Sequence, residues 1–312
     1  MDIINPYAHA FTLPWFKGDL HIHSDISDGH ASREQIRDRL RACGFHFAAL
    51  ADHDRYHPTD DDDHPIFLGN SEMRGTEGGD VLTLFAEVEP APQTSVQDLI
   101  DQTRQAGGLA ILAHPRIGEF GTTKHHWSYT SAQLIGTYRD FQGMEIYTHN
   151  VGSGFQTAVD RLDALWIARC AASSQPVQVW GYATSDAHDL HRIVPNAGIL
   201  TAAVSCSETD LRLALETGRF YSLADSTARF TSITAADGVI SITAAGARML
   251  RLYGRQQSGA SGDRRLLAIA WATPDERLTV DYAVTGTEGF VRAEAMDHRG
   301  GCIYANPLQV VP

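Results

Sequence analysis

Short apolar runs recur along the first two thirds of the chain, and each is followed within a few residues by charged or histidine side chains. The runs lie at 45–50, 81–85, 109–112, 144–147 and 177–180. Runs of this length are typical of strands that are buried on both faces, as in a parallel sheet. The polar residues that follow them are therefore expected at the carboxyl ends of strands.

Helical patterns lie between these runs. Ser32 with Gln35 predicts a capping box, and so does Ser95 with Asp98, while Gly44 is suited to ending the first of the two helices. Alternating strands and helices with polar strand ends predict an α/β fold, a (β/α) barrel with its site on the carboxyl-end face. Further helices are predicted at 131–138 and 156–172.

The last part of the chain has a different pattern, in which apolar and polar residues alternate over short segments. These segments lie at 238–242, 249–253, 278–282 and 289–294, and Gly, Asp and Ser turns separate them. Such alternation predicts antiparallel strands with one buried face. We therefore expect two domains, a barrel at 1–224 and a small β-sandwich-like domain at 225–312.

Composition limits the classes of function. The 312 residues carry a net charge of −13, which opposes binding to the phosphate backbone of nucleic acids. No apolar stretch approaches the roughly 20 residues of a membrane span, and residues 1–14 lack the pattern of a signal peptide. The four cysteines are scattered, which fits a reduced compartment. A cytoplasmic location is expected.

A histidine pair near the start of the chain is the first candidate for chemistry. Side chains alternate along a strand, so His21 and His23 are expected on one face, where they form half of a metal site. A structural pair held by backbone carbonyls would look the same. The metal interpretation is favoured because 52–54, 113–115 and 185–188 place more His and Asp residues after apolar runs.

Five motifs occur in the order in which the PHP domain (polymerase and histidinol phosphatase) has them. They are His-x-His with Ser-Asp-Gly at 21–29, Asp-His at 52–53, a strand end with glutamate at 85–89, Ala-His-Pro at 113–115 and Ser-Asp-Ala-His at 185–188. Over roughly residues 17 to 223 the chain resembles this family. The resemblance implies a distorted (β/α)7 barrel and metal-dependent hydrolase activity.

The resemblance also implies a ligand set for two or three divalent ions, zinc, manganese or iron. Two of the ions would share one glutamate as a ligand, and a third ion would lie beside this pair. Two ions bridged in this way activate a water molecule. Asp186, His188 and Glu87 are expected to act in catalysis as well as in binding. The implied metal ligands are His21, His23, Asp28, His53, Glu87, His114, Asp186 and His188.

Two features depart from the family pattern. Glu87 and Glu89 have the same parity along the strand, so alternation does not separate them. The family rhythm favours Glu87, with Glu89 supporting a ligand or the substrate. The family often supplies another histidine before Ala-His-Pro, but residues 65–113 contain none. The second ion site is expected to be incomplete, or completed by His149, His125, His126 or water.

Four further side chains are assigned to supporting roles. Arg116 is suited to binding a substrate phosphate through its planar guanidinium, although a solvated loop arginine would fit the sequence equally well. His149 is a second candidate for substrate binding. Asp54 is expected to orient a metal ligand, and Glu145 is expected either to orient a ligand or to contact the substrate.

The sequence thus predicts a metal-dependent phosphoesterase that acts on a small-molecule phosphate ester with a metal-bound hydroxide. A hydrolase of carboxylic or carbamic esters or amides is the first alternative, because the same nucleophile attacks carbon. A metal-binding scaffold without turnover is the second. The near-complete ligand set favours an enzyme, since a scaffold would be expected to have lost several ligands.

Overall fold

A computed structural model gives the architecture of most of the chain. It describes residues 2–89, 91, 93–115, 136–149, 159, 162, 163, 165, 166, 178–255, 264–272 and 277–311. Helices occur only in the first three quarters of these residues, and the remainder is built from strands. Within the described residues, no helix is both long and apolar enough to cross a lipid bilayer.

Three α-helices have fully described bounds: α1 (Arg33–Ala42), α2 (Val96–Gln105) and α3 (Glu208–Glu216). The capping boxes predicted for α1 and α2 are confirmed. The Ser32 hydroxyl accepts from the backbone N–H of Gln35, and Ser95 does the same with Asp98. These bonds satisfy N–H groups that a helix start otherwise leaves unpaired.

The strands are short and mostly buried. In chain order they are β1 (Asp2–Ile4), β2 (Trp15–Ile22), β3 (Phe47–Leu50), β4 (Ile66–Phe67), β5 (Glu72–Arg74), β6 (Asp80–Leu84), β7 (Leu109–Leu112), β8 (Gly143–Thr148), β9 (Trp180–Thr184), β10 (Gly198–Ala202), β11 (Phe220–Ala224), β12 (Arg229–Ala236), β13 (Val239–Ala245), β14 (Ala247–Arg255), β15 (Arg264–Trp271), β16 (Leu278–Ala283), β17 (Phe290–Asp297), β18 (Cys302–Ala305) and β19 (Leu308–Val311).

The largest sheet runs through both ends of the chain. Its order is β1-β19-β17-β18-β11-β10-β2-β3-β4, with β14 joining β17 to β15. Only the pairs β2–β3 and β3–β4 are parallel; the other pairs are antiparallel. The amino-terminal strands that carry the histidine pair are therefore hydrogen-bonded into the same sheet as the strands of the tail.

A second sheet has the order β5-β6-β7-β8-β9. Its pairs β7–β8 and β8–β9 are parallel, whereas β6 runs antiparallel to both β5 and β7. Two single bridges connect it to the largest sheet, one between Ile22 and Ala187 and one between His53 and Glu72. Both bridges lie where the candidate site residues lie, so they fix the edges of the two sheets at that point.

The closed (β/α)7 barrel expected from the resemblance is not confirmed by the described residues. Their parallel strands belong to two separate sheets, and the chain turns from β5 to β6 through residues 75–79 alone. So short a link produces an antiparallel pair, because a parallel crossover needs about a dozen residues or more. The helix predicted at 156–172 is only partly described, with Leu162, Trp166 and a few neighbours helical.

The tail packs as two layers. The three-stranded sheet β12-β13-β16 lies against part of the largest sheet, and Ile233, Ile242 and Val280 share a buried cluster with Leu250 and Leu252 of β14. This layering agrees with the sandwich-like pattern predicted from the sequence. Strand β18 of the tail pairs with β11, which lies before the expected domain boundary at residue 225. The position of that boundary stays a prediction.

A buried ion pair connects the tail to the first part of the chain. Arg292 of β17 donates to both carboxylate oxygens of Asp163, each at 2.8 Å, and to Glu294 at 2.7 Å. The side chains of all three residues are at most 2% exposed. Charges buried this deeply depend on their partners, because water does not reach them to compensate a lost contact.

Replacing Arg292 by Met should therefore lower the free energy of unfolding by about 3–5 kcal/mol, since it removes the buried cation that contacts both Asp163 and Glu294. Urea unfolding followed by circular dichroism measures this loss. Arg299→Met, at an exposed turn residue, is the matched control and should stay within about 0.5 kcal/mol of the parent. Equal losses in the two variants would contradict the role given to the buried pair.

Candidate metal centre

The ends of several strands bring the predicted ligands together. His21 is the penultimate residue of β2 and His23 follows that strand, while His53 follows β3, His114 follows β7 and Asp186 follows β9. Parallel strands present their carboxyl ends at one edge of a sheet, and the two bridges hold the edges of both sheets against each other. Strand direction and the two bridges therefore bring these residues together.

Glu72 lies at the centre of the cluster, although the sequence did not single it out. Its Oε1 is 2.8 Å from His114 Nε2. Its Oε2 is 3.4 Å from the Nε2 atoms of both His21 and His23, and 3.2 Å from His53 Nδ1. This buried Oε2 has no hydrogen-bond partner. Buried polar atoms are nearly always satisfied, so an oxygen of this kind indicates that a cation belongs beside it.

Three overlapping groups of side chains have ligand atoms within 4.8 Å of one another. They are His21 with His23 and Asp186; His21 with Glu72 and His114; and His23 with Asp28, His53 and His188. Since one imidazole nitrogen binds one ion, the overlap describes a single connected cluster. The two oxygens of Glu72 are suited to joining neighbouring ions within it.

The spacing around His21 and His23 fits a tetrahedral ion. Ligands about 2.1 Å from one ion lie about 3.4 Å apart along the edges of a tetrahedron. The Nε2 atoms of His21 and His23 are 3.1 Å apart, and they lie 3.5 and 3.3 Å from Asp186 Oδ1. With the 3.4 Å distances to Glu72, five edges have the expected length. The donor set therefore fits a divalent ion at this position.

The third group lies nearer to solvent. Asp28 Oδ2 is 3.5 Å from His53 Nε2 and 3.3 Å from His188 Nε2, and the side chain of Asp28 is 53% exposed. The rings of His23 and His188 stack with their centroids 4.2 Å apart. A small molecule can reach the cluster on this side, whereas His21 and Glu72 are closed off from water.

Glu145 holds His21 from behind. Its Oε1 is 2.9 Å from His21 Nδ1 and accepts a hydrogen bond from the Thr184 hydroxyl at 2.7 Å, while its Oε2 accepts from the backbone N–H of His114. A proton on Nδ1 that is donated to this carboxylate leaves the lone pair of Nε2 for an ion. Glu145 is thus in the position predicted for an orienting carboxylate.

Asp52 organises the loop after His23. It accepts hydrogen bonds from the Ser24 N–H at 2.8 Å, from the Ser27 hydroxyl at 2.5 Å and from His57 Nε2 at 2.6 Å. Burial raises the pKa of Asp52, but the bonds from His57, Ser24 and Ser27 outweigh it and hold this pKa well below its usual range. The sequence motif pointed to Asp52, but not to His57, which no strand-end pattern marks.

The buried carboxylates are stabilised by positive charge on neighbouring groups. Burial lowers the pKa of His114, yet the hydrogen bond and the charge of Glu72 outweigh it and raise that pKa to about 9. Burial raises the pKa of Glu72, yet His21 and His114 together hold it well below its usual range. The Glu72 carboxylate thus favours positive charge on His114, and divalent cations would supply the same kind of charge.

Three backbone positions at the site are strained. Asp54, Asp186 and His114 have φ values of +52°, +48° and +24°. Residues other than glycine seldom adopt this left-handed region, and such strain is found most often at functional sites. The positions follow β3, β9 and β7, so the strain lies at the strand ends that carry ligands.

Glu87 and Glu89, the glutamates that the sequence offered as ligand and supporting carboxylate, are exposed and lie outside the three groups. Glu72 takes the place expected for Glu87. The physical reason is strand direction: β6 runs antiparallel to β5 and β7, so its carboxyl end points away from the edge where their ligands meet. The sequence argument had treated the strand at 81–85 as parallel to its neighbours.

The remaining predicted residues have mixed outcomes. Arg116, His125 and His126 lie outside the described residues. Asp54 is exposed, and its backbone N–H, rather than its carboxylate, contacts the site by donating a hydrogen bond to the Glu72 carbonyl. His149 lies outside the three groups, with Nδ1 3.1 Å from Asp225, which also accepts a hydrogen bond from Tyr147.

Comparisons with known proteins give remote similarities. No family model and no curated protein matches the chain. A two-domain protein containing a predicted PHP-like metal-dependent phosphoesterase, from Bacteroides vulgatus, is 15% identical with a TM-score of 0.47, covering 98% of this chain and 97% of its own. A protein described as a candidate metal-dependent phosphoesterase, from Bifidobacterium adolescentis, is 15% identical, with a TM-score of 0.39 and coverages of 56% and 89%.

An amidohydrolase from Chromobacterium violaceum, solved with bound sulfate and no metal, is also 15% identical, with a TM-score of 0.37 and coverages of 55% and 88%. The interpretation of this site as a metal centre is argued from the sequence motifs and the geometry of the cluster.

The position of Glu72 generates a test. Glu72→Gln should lower the metal content by at least one ion per chain, because an amide is neutral and bridges cations poorly. Glu87→Gln, the same chemical change at an exposed site, should leave the content unaltered. Elemental analysis after reconstitution with manganese measures both. A greater loss in Glu87→Gln would restore the assignment made from the sequence.

Proposed function

We propose that the protein is a metal-dependent hydrolase that cleaves a small phosphate ester. The observation that carries the proposal is the buried, unpartnered Oε2 of Glu72, which lies 3.2–3.4 Å from nitrogens of three histidines. Histidine nitrogens with carboxylate oxygens suit zinc, manganese or iron(II), and the three groups provide for two or three ions. When bound, such ions activate water and neutralise the charge of a phosphoryl group.

The buried side chains of the cluster would hold the ions, and the more exposed side chains would contact the substrate. Glu72, His21 and His23 are buried and hold the inner part of the cluster, with Glu145 fixing the orientation of His21. His188 Nδ1 lies 3.1 Å from the Asp186 carbonyl oxygen, and donation there leaves Nε2 free to face Asp28. This inner rigidity keeps ligands in place without further ordering when substrate arrives.

The exposed group would receive the substrate. His53, His188 and Asp28 are partly accessible, so a phosphate oxygen reaches them without displacing the buried ligands. A phosphate monoester carries the negative charge that a cationic cluster selects, and a small ester avoids the repulsion that a nucleic acid meets at a net charge of −13. Asp186 and His188 are proposed as catalytic residues, and Arg116 and His149 as contacts to the substrate.

We expect turnover of a chromogenic phosphate monoester when manganese is supplied, and little turnover of the matching carboxylic ester. His188→Ala should lower kcat by at least about tenfold, because it removes a ligand at the accessible edge. His298→Ala, at an exposed turn of the tail, is the control and should leave kcat within about threefold. Hydrolysis of the carboxylic ester alone would contradict phosphoesterase activity, and hydrolysis of neither would favour a binding scaffold.

A further inference from the structure

Asp80 is a buried carboxylate beside the cluster that the predicted ligand set does not contain. It is the first residue of β6, where it pairs with Arg74 at the end of β5. Because β6 is antiparallel, its amino end lies at the site edge, and the Asp80 carbonyl accepts a hydrogen bond from Ala113, the residue before His114. The reversed strand that removed Glu87 from the site thus brings Asp80 to it.

The carboxylate of Asp80 approaches the second group of ligands. Its Oδ2 lies 4.0 Å from His114 Nε2, the same nitrogen that is 2.8 Å from Glu72 Oε1. Two carboxylates therefore flank one imidazole nitrogen. His21 Nε2 is assigned to the ion beside His23 and Asp186, so Glu72 and His114 supply two ligand atoms for a second ion, and a tetrahedral ion needs further ligands.

Arg74 holds the Asp80 carboxylate on the side away from the cluster. Arg74 donates from Nε to Oδ1 at 2.8 Å and from its terminal nitrogen to Oδ2 at 3.2 Å. The side chain of Arg74 is 43% exposed, so the guanidinium approaches Asp80 from solvent while His114 lies on the inner side.

We propose that Asp80 is the third protein ligand of an ion held by Glu72 and His114, and that Arg74 competes with this ion for the Asp80 carboxylate. The inference rests on the proposed metal-dependent function. It identifies an aspartate at a position for which the residues from 65 to 113 offer no histidine. A set of one histidine and two carboxylates is harder than one with two histidines and one carboxylate, and it favours manganese or iron(II) over zinc.

A structural role for Asp80 makes different predictions. If the carboxylate only fastens the β5–β6 turn, then removing either Asp80 or Arg74 breaks the same ion pair and lowers stability in both cases. If Asp80 is a ligand, the two changes have opposite effects on metal binding, because one deletes the ligand and the other deletes its competitor.

The experiment titrates manganese into metal-free protein, with binding counted by calorimetry and by electron paramagnetic resonance of free manganese. Asp80→Asn should lose one binding step, or weaken it beyond the roughly 10–100-fold expected from loss of a residue that only supports a ligand. Arg74→Gln should tighten the same step by about 2–5-fold. Asp62→Asn, at an exposed loop residue, is the charge-matched control and should change nothing.

Circular dichroism of each variant in chelator shows whether the fold is retained. If Asp80→Asn does not fold, Arg74→Gln decides the matter: unchanged or weaker manganese binding overturns the proposal. An unaltered number and affinity of ions in folded Asp80→Asn also overturns it, while leaving the proposed function standing. Absence of manganese binding by the parent protein overturns both. Binding without phosphatase turnover in the parent overturns the proposed function alone.

Discussion

The structure depends on one electrostatic constraint, the burial of the Glu72 carboxylate among four histidine side chains. A lone buried carboxylate is strongly unfavourable, and it is tolerated only when cationic partners surround it. Those partners come from β2, β3 and β7, so the constraint holds three strands from two sheets at one point. The bridge between His53 and Glu72 places the backbone of β5 at the same point. Glu72 is therefore the residue at which β5 contacts side chains that follow or belong to β2, β3 and β7.

The supporting residues follow from that constraint. Glu145 and Asp52 each bind ring nitrogens or hydroxyls around the cluster, and they fix side chains that would otherwise rotate. Each is itself saturated with hydrogen bonds, so the network has few degrees of freedom left. The tail contributes elsewhere, through the buried pair of Arg292 with Asp163 and through strands added to the largest sheet. Its described residues contribute none of the members of the three ligand groups.

The sequence predicted most of the site because its ligands obey local rules. Alternation along β2 placed His21 and His23 on one face, and apolar runs marked the strands before His53, His114 and Asp186. Glu72 was missed because β5 is three residues long and the apolar run before it, at 66–68, is also only three residues long. Strand direction is a long-range property, so periodicity did not reveal that β6 is reversed. The same reversal is one departure from the distorted (β/α)7 barrel that the resemblance implied.

The central claim is that Glu72 lies between divalent cations. Anomalous diffraction from crystals of the manganese-loaded protein, collected above and below the manganese edge, tests it most directly. The account predicts anomalous peaks on both sides of the Glu72 carboxylate, each within about 2.0–2.3 Å of one of its oxygens. Peaks confined to other parts of the molecule, with Glu72 still hydrogen-bonded to His114 alone, would contradict the account.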